Sequence, residues 1–325
     1  MFGIPWARAL VLLGATATPH TTTDAACVAC HPRVAAEWWS SQHRSAFTES
    51  TFQAAHALEP RAFCRSCHAP EQDPAISKIT PKATVGVSCR SCHLRGDEIV
   101  TGSSRAPVAA PHSVRRDPEF GRLACGPCHQ FEFPDAGLRE TPEQMQSTLD
   151  EHALSRHRKR SCVACHMPAD AAGRSSHSFA LSRDPAALRR SVRVDAQRVD
   201  ARTIRLTLAA GEVGHAVPTG DLLRRLEIAA APSARPQATS RRYLARHFAQ
   251  VRQASGIALL SEIRDDRVPA DGRPRVVTLE VDAADDEAIL WWVRHQRVAH
   301  HRSFDPRNAI VDGETELASG RLSPL

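Results

Sequence analysis

The sequence has few of the large side chains that ordinarily fill a protein core. Phenylalanine, tryptophan and tyrosine make up 5% of its 325 residues, and Tyr243 is the single tyrosine. The first half of the chain is especially poor in them, so we expect its interior to contain apolar mass that the polypeptide does not supply. We also expect this half to be largely unfolded without that mass, as small metal-dependent domains are without their metal.

Long hydrophobic runs are also lacking. No segment reaches the roughly 18 apolar residues of a membrane-spanning helix, so we predict no stable membrane span. Near the start, Arg8 is followed by the short apolar run Leu10 to Ala15 and by the A-x-A sequence Ala15-Thr16-Ala17. This pattern predicts a signal peptide over residues 1–17, with export to the periplasm or the cell exterior; a frayed N-terminal helix is the alternative.

No cysteine lies outside one repeated motif. The ten cysteines form five copies of Cys-x-x-Cys-His. The copies are Cys27/Cys30/His31, Cys64/Cys67/His68, Cys89/Cys92/His93, Cys125/Cys128/His129 and Cys162/Cys165/His166. In such a motif each thiol can add across one vinyl group of a haem, and the histidine is then placed to ligate the iron. The sequence therefore predicts five covalently bound haem c groups, with iron as the metal.

Zinc binding and disulfide pairing explain the motifs less well. A structural zinc site needs two Cys-x-x-Cys pairs, or one pair with two further ligands. Five copies do not divide into pairs, and neither zinc nor a disulfide gives a reason for a histidine at the same place in every copy.

Lysine is scarce, so the formal charge of +6 comes almost entirely from arginine. A basic chain often binds nucleic acid or a membrane surface. Here the propionates of bound haems would offset the charge, at roughly −1 to −2 for each haem, and many arginines would pair with them. We therefore predict no nucleic-acid partner.

Each iron has room for a second axial ligand, and twelve of the 17 histidines lie outside the motifs. His43 lies on a predicted helix over residues 33–47, His177 follows the last motif, and His215 lies in a tight loop rich in glycine and proline. The alternatives are a solvated helix histidine at His43 and a turn with an incidental histidine at His215. Further candidates are His56, His152 and His157. If none of these three ligates, one iron has an open position.

Beyond Pro185 the pattern changes to alternating apolar and polar residues, which predicts antiparallel strands with one buried face. The predicted strands are 192–194, 203–208, 225–228, 277–281 and 289–293. Tyr243 to Leu260 fits helix or strand. The fold class is therefore α+β, with a mainly helical or irregular haem-packed domain over 25–185 and a small β-sandwich over 190–325.

One helix is predicted from its start signal. Thr141-Pro142-Glu143-Gln144 has an N-cap residue, a proline at the first helical position and a capping-box glutamine. We expect this helix to run to about His157.

Several segments resemble the multihaem cytochromes c related to the tetrahaem cytochrome of ammonia oxidisers and to hydroxylamine oxidoreductase. They are Trp39-x-x-x-His43, Gly86-Val87-Ser88 before the third motif, Gln130-Phe131 after the fourth, Met167-Pro168 and His177-Ser178-Phe179 after the fifth, and Gly214-His215-x-x-Pro218-Thr219-Gly220. The C-terminal part also resembles a module of some exported members through Asp265-Asp266-Arg267-Val268-Pro269-x-x-Gly272. The resemblance implies stacked and perpendicular haem pairs, mostly with two histidines on each iron. By position it implies His43, His112, His177 and His215 as the second ligands.

The first functional hypothesis is electron transfer, because an iron held by two histidines has no open site for a substrate. The partners would be other redox proteins, such as cytochromes or quinol-linked complexes. Two departures from the resembling enzymes favour this hypothesis. All five motifs end in histidine, whereas related nitrite reductases have a lysine at one motif, and Tyr243 lies outside the haem region, whereas hydroxylamine oxidoreductases use a tyrosine at the catalytic haem.

Two alternatives stay open. The first is an oxidoreductase with one five-coordinate haem that acts on a small nitrogen or sulfur compound. The second is self-association into an extracellular cytochrome filament, in which His247, His295, His300 and His301 either serve neighbouring chains or are ordinary surface histidines.

Overall fold

The computed structural model describes residues 24–73, 75–76, 78–103, 110–299 and 308–325. The signal peptide predicted over 1–17 lies outside these residues. The fold class is α+β, which confirms the prediction: short helices dominate the first part of the chain and antiparallel sheets the rest. Across the described ranges, we find no helix with the length and apolarity needed to span a bilayer. The domain boundaries stay predictions.

Between residues 24 and 190, the described part of the chain forms nine short α-helices. They are α1 (Asp24–Cys30), α2 (Pro32–Trp39), α3 (Ser50–Leu58), α4 (Arg65–His68), α5 (Cys89–His93), α6 (Phe120–His129), α7 (Thr148–Leu154), α8 (Cys162–His166) and α9 (Pro185–Arg190). Four of the five motif histidines are the last residue of their helix, and His31 directly follows α1. Helices this short are not stable alone in water, so their surroundings must hold them.

Among the described residues of this part, five short strands accompany these helices. They are β1 (Leu94–Arg95), β2 (Glu98–Thr101), β3 (Val114–Arg116), β4 (Gln130–Glu132) and β5 (Gln144–Ser147). The helix predicted from Thr141 is wrong in its first half, because β5 pairs antiparallel with β4. The helix begins only at Thr148 and ends at Leu154. The helix predicted over 33–47 likewise ends early, at Trp39.

In the C-terminal part, residues 192–299 and 308–325 as described form nine strands. They are β6 (Val192–Arg198), β7 (Thr203–Ala210), β8 (Arg224–Pro232), β9 (Ser240–Leu244), β10 (Arg246–Arg252), β11 (Ala258–Asp265), β12 (Arg275–Glu280), β13 (Ile289–Val298) and β14 (Val311–Leu322). Two sheets, in the order β12-β7-β6 and β14-β13-β8-β9, enclose one core. Alternation sets which side chains enter it, since Ile204, Leu206 and Leu208 are fully buried and Arg205 between them is exposed. All five strands predicted from alternation are confirmed.

The segment that fitted helix or strand forms β9, β10 and β11. Strands β10 and β11 form a two-stranded ribbon that lies against the haem region. Arg139, whose side chain is 2% exposed, donates to the carbonyl oxygen of Leu260 at 2.9 Å and to Ser261 Oγ at 3.3 Å. The ribbon therefore joins the two parts of the molecule through polar contacts.

Candidate haem-binding site

A large cavity of about 3460 Å³ lies between the helices and reaches the edge of the sandwich. The ten motif cysteines and five motif histidines all line it, as do His43, His112, His177 and His215. Ordinary ligand pockets have volumes of roughly 300–1,000 Å³. The cavity is therefore large enough for several ligands of ordinary size, and it is in contact with every residue that the sequence assigns to haem.

The thiols of the motifs remain free and do not gather into a zinc site. All ten cysteines are unpaired, and no cluster of three or more histidine, cysteine or acidic side chains suited to a metal ion occurs in the part of the chain that the structure describes. The two thiols of each motif instead stay beside their own histidine at the cavity wall. This arrangement fits covalent attachment of one haem per motif.

Motifs that are distant in sequence lie side by side. Thiols of different motifs lie near one another: Cys27 near Cys89, Cys67 near Cys128, and Cys125 near Cys162. Helix α6 accordingly contacts α4, α5 and α8, and α1 contacts α5. The fourth motif is therefore central, because it adjoins the second, third and fifth motifs.

Two motif histidines are oriented by backbone carbonyls. Nδ1 of His68 lies 2.8 Å from the carbonyl oxygen of Ala46, and Nδ1 of His93 lies 2.8 Å from that of Val100. When Nδ1 donates its proton in this way, Nε2 keeps the free lone pair that an iron ligand needs. The same orientation occurs at His177, with Ser175 at 3.0 Å, and at His215, with Ala216 at 3.0 Å.

Three motif histidines face a second histidine across the cavity. The ring centres of His93 and His177 are 6.2 Å apart, those of His166 and His215 are 6.2 Å apart, and those of His129 and His43 are 6.4 Å apart. If two imidazoles were both to ligate one iron, with metal–nitrogen bonds of about 2 Å and about 1 Å from each nitrogen to its ring centre, the ring centres would be about 6 Å apart. The three spacings therefore match an iron held between two imidazoles.

The backbone of His43 is held by the segment before the third motif. Val87 donates its N–H to the carbonyl oxygen of His43 at 2.8 Å, and Trp38 Nε1 donates to the carbonyl oxygen of Val87 at 2.9 Å. A Cβ atom on Gly86, which has φ +71°, would lie 2.5 Å from the carbonyl oxygens of His43 and Arg44. This close approach explains why glycine precedes Val87.

His177 is held by a carboxylate of α2. Its backbone N–H donates to Glu37 Oε2 at 2.8 Å, and Arg174 lies 3.4 Å from the other oxygen of Glu37. Phe179, two residues after His177, packs edge-on against His43 with 4.3 Å between ring centres. The segment after the fifth motif thus contributes to the surroundings of two histidine pairs.

Burial keeps these histidines in the form that can ligate. Burial, together with neighbouring histidines, lowers the pKa of His129 to about 4 and that of His166 to about 4. Burial also lowers the pKa of His43 and His215. A neutral imidazole is the form that binds a metal, so the rings are ready to ligate at neutral pH.

The first and second motifs differ from the other three. Neither His31 nor His68 has a facing histidine ring among the described residues. The ring against His68 is that of Phe52, stacked at 3.8 Å and 11°, and His56 lies beyond it at 5.4 Å from Phe52. His112 lines the cavity from a loop, with Nδ1 3.3 Å from the carbonyl oxygen of Ser113; within the described ranges its ring faces no motif histidine.

The remaining candidate histidines have other surroundings. His152 and His157 lie beside the His215 loop. A Cβ atom on Gly214 would lie 3.2 Å from Cδ2 of His152 and 3.4 Å from Cβ of His157. His247 lies 2.8 Å from Asp266 Oδ1. His300 and His301 lie outside the described residues.

His295, for which a neighbouring chain or the surface were the two alternatives, is largely enclosed within this chain. It lines the cavity, and burial together with Arg224 lowers its pKa to about 4. The signal for this placement was present in the sequence. Alternation along β13 puts His295 on the same face as the fully buried Val293.

Comparison with known proteins supports the binding of haem c by this chain. Residues 26–94 match the family model of cytochrome c554 and c-prime. No curated protein matches the chain. The fold is similar to that of a penta-heme cytochrome c552 from Thermochromatium tepidum, with 17% identity, a TM-score of 0.64, and coverage of 94% of this chain and 99% of that one. The family match and the shared fold, together with the repeated motif, support a multihaem c-type cytochrome.

Proposed function

We propose that the protein is an exported pentahaem c-type cytochrome that carries electrons between redox partners, with most of its irons held between two histidines. The family match supports electron transfer by a cytochrome. The number five rests on the five motifs, and the similar fold of a protein described as penta-heme is consistent with it.

The observation that carries the proposal is the set of three facing histidine pairs, at 6.2, 6.2 and 6.4 Å. Bound haem iron supplies reversible one-electron chemistry, and axial histidines favour transfer over substrate binding because they leave no open position. The chain's own residues fix the rings of His93, His177 and His215 through Nδ1, and they keep water from the rings of the three pairs by burying them. These features favour a carrier.

The packing of the motifs gives the proposed route. Because the fourth motif adjoins the second, third and fifth, and the first adjoins the third, electrons entering at either end would pass the centre of the molecule. Burial and nearby charge would spread the potentials along this route. Candidate partners are other exported redox proteins.

Removal of single histidines tests the three pairs. In His43→Ala, His177→Ala and His215→Ala we expect one haem in five to become high-spin in the electron paramagnetic resonance spectrum of the ferric protein. His247→Ala is the matched control, since this histidine also lines the cavity but is paired with Asp266. If the three variants keep the wild-type spectrum, or if the control changes as they do, the pairs are not axial ligands.

A second candidate function, reduction or oxidation of a small nitrogen or sulfur compound, is favoured by the second motif. His68 faces no histidine within the described ranges and packs against Phe52 instead. This motif would therefore be the site of a five-coordinate iron. A high-spin signal in the wild type that shifts when cyanide is added, and that is lost in Cys64→Ala/Cys67→Ala, would support this function; its absence would leave electron transfer alone.

A further inference from the structure

A buried carboxylate lies where the haem region meets the sandwich. Glu151 belongs to α7, and its side chain is only 10% exposed. Burial alone would raise its pKa, but the charge of Arg267 and hydrogen bonds from Thr219, Arg267 and Ser147 lower the pKa on balance. Glu151 is therefore a buried anion, which a protein tolerates only with charge and hydrogen-bond partners.

Each carboxylate oxygen of Glu151 accepts two hydrogen bonds. Oε1 accepts from Ser147 Oγ at 2.8 Å and from an Arg267 guanidinium nitrogen at 2.7 Å. Oε2 accepts from Thr219 Oγ1 at 2.6 Å and from the backbone N–H of Ala216 at 3.2 Å. Two of these four donors belong to the loop that carries His215.

Arg267 holds the same loop from the sandwich side. Its guanidinium group is 6% exposed, donates to the carbonyl oxygen of Pro218 at 3.0 Å, and pairs with Asp265 at 2.7 Å. The next residue, Val268, exchanges two backbone hydrogen bonds with Val217 at 2.9 and 3.0 Å. The loop is thus clamped between α7 and the segment after β11.

Ala216 connects this network to the ligand. Its N–H donates to Glu151, and its carbonyl oxygen accepts from Nδ1 of His215 at 3.0 Å. The backbone N–H and carbonyl of Ala216, which is 5% exposed, therefore link the carboxylate of Glu151 to the imidazole of His215. The imidazole in turn faces His166 at 6.2 Å with 18° between the rings.

We propose that Glu151 is the positioning residue of the His215 ligand, and that through Ala216 it controls the ligation and the reduction potential of the haem at the fifth motif. This inference rests on the proposed function, since it needs His215 to be an axial ligand. It ties ligation of one haem to the docking of the sandwich, because the same carboxylate holds Arg267.

The test is the variant Glu151→Gln, which keeps the shape of the side chain and removes its charge. We expect one haem in five to convert to high-spin in the ferric protein, and the midpoint potential of that haem to shift while the other four stay unchanged. Added imidazole should restore the low-spin spectrum, which a general loss of structure would not allow. Haem content by pyridine haemochrome should remain at five per chain.

Glu143→Gln is the matched control. Glu143 also joins the two parts of the molecule, through Arg139 at 3.1 Å and the N–H of Glu262 at 3.0 Å, but it does not touch the His215 loop. We expect Glu143→Gln to leave the spin states and the midpoint potentials of all five haems unchanged. If both variants convert a haem equally, the effect comes from loosened docking and the positioning role is wrong.

Thr219→Val keeps the test decisive if Glu151→Gln does not fold. It removes one of the four donors to the carboxylate with little change in volume, so we expect a smaller change, confined to the same haem. If His215→Ala loses one low-spin haem while Glu151→Gln and Thr219→Val lose none, the positioning role of Glu151 is overturned and the ligation by His215 is not. If His215→Ala keeps all five haems low-spin, the ligation proposal fails and the inference fails with it.

Discussion

The two parts of the molecule fill their interiors in different ways. In the sandwich, seventeen buried apolar side chains from several strands form one cluster. In the haem region, the buried apolar cluster contains Phe47, Ala69 and Ala83, with Phe52 packed beside it, and a cavity of about 3460 Å³ takes the place of a core. One part can thus be stabilised by its own side chains, whereas the other needs bound apolar groups.

The largest expected effect is loss of the haem region in the absence of haem. When the full chain is made without haem attachment, we expect residues 24–190 to exchange their amide hydrogens as an unfolded chain does, because short helices around an empty space lack tertiary support. The strands β6 to β8, β12 and β13 should stay protected. Hydrogen exchange followed by mass spectrometry measures both parts at once. Equal protection in both would contradict the comparison.

The next effect concerns the core of the sandwich. Ile204 is fully buried, and Ile204→Ala should lower the free energy of unfolding by about 2–5 kcal/mol, through lost transfer energy and the cavity that remains. Denaturant unfolding followed by circular dichroism gives this value. The exposed Val276 of β12 is the control, and Val276→Ala should cost far less. A change in haem spectra in Ile204→Ala would show that the two parts are not as separable as described.

A smaller effect is expected from a helix cap in the haem region. Ser88 caps α5 by accepting from the N–H groups of Arg90 and Ser91 at 3.1 and 3.3 Å. Its replacement by alanine should cost about 1 kcal/mol, measured by thermal unfolding monitored at the Soret band. The exposed Ser40, whose hydroxyl bonds the carbonyl oxygen of Glu37 at 2.8 Å, is the control. If Ser88→Ala and Ser40→Ala behave alike, the cap does not hold the third motif.

The sequence predicted the sandwich better than the haem region, for a physical reason. Alternation alone fixes which face of a strand is buried, so 203–208 and 277–281 could be assigned without any partner. The segment from Thr141 carried helix signals, yet 144–147 forms a strand, because pairing with β4 outweighs a local capping preference. Local signals decide only where tertiary contacts do not compete with them.

The same distinction applies to the site. The motif residues are readable because the covalent chemistry fixes their spacing. The motif histidine that each second histidine faces could not be predicted, since His43 and His129 are brought together by contacts such as the close approach at Gly86, which no spacing encodes. His295 was missed because its neighbours in sequence are polar, although its strand position faces the cavity.

The smallest effect is a pH dependence of the unfolding free energy, caused by buried carboxylates where the two parts of the molecule meet. Burial would raise the pKa of Asp265, but hydrogen bonds and the charge of Arg267 lower it below the ordinary 3.8; the pKa of Glu151 is likewise below its ordinary 4.5. A carboxylate with a lowered folded pKa stabilises the fold fully above its unfolded pKa, and this contribution is lost as the pH falls through the folded pKa. The part of the unfolding free energy that these two carboxylates contribute should therefore be level above about pH 5 and decline below it. The decline should be shallower in Asp265→Asn; an equal slope would contradict this assignment.

The central claim, that most irons lie between two histidines, is tested most directly by the electron paramagnetic resonance spectrum of the purified ferric protein, with haem counted by pyridine haemochrome. We predict five haems per chain and low-spin signals from at least the three that correspond to the pairs at 6.2–6.4 Å. High-spin signals from three or more haems would contradict the account, because the facing histidines would then not be ligands.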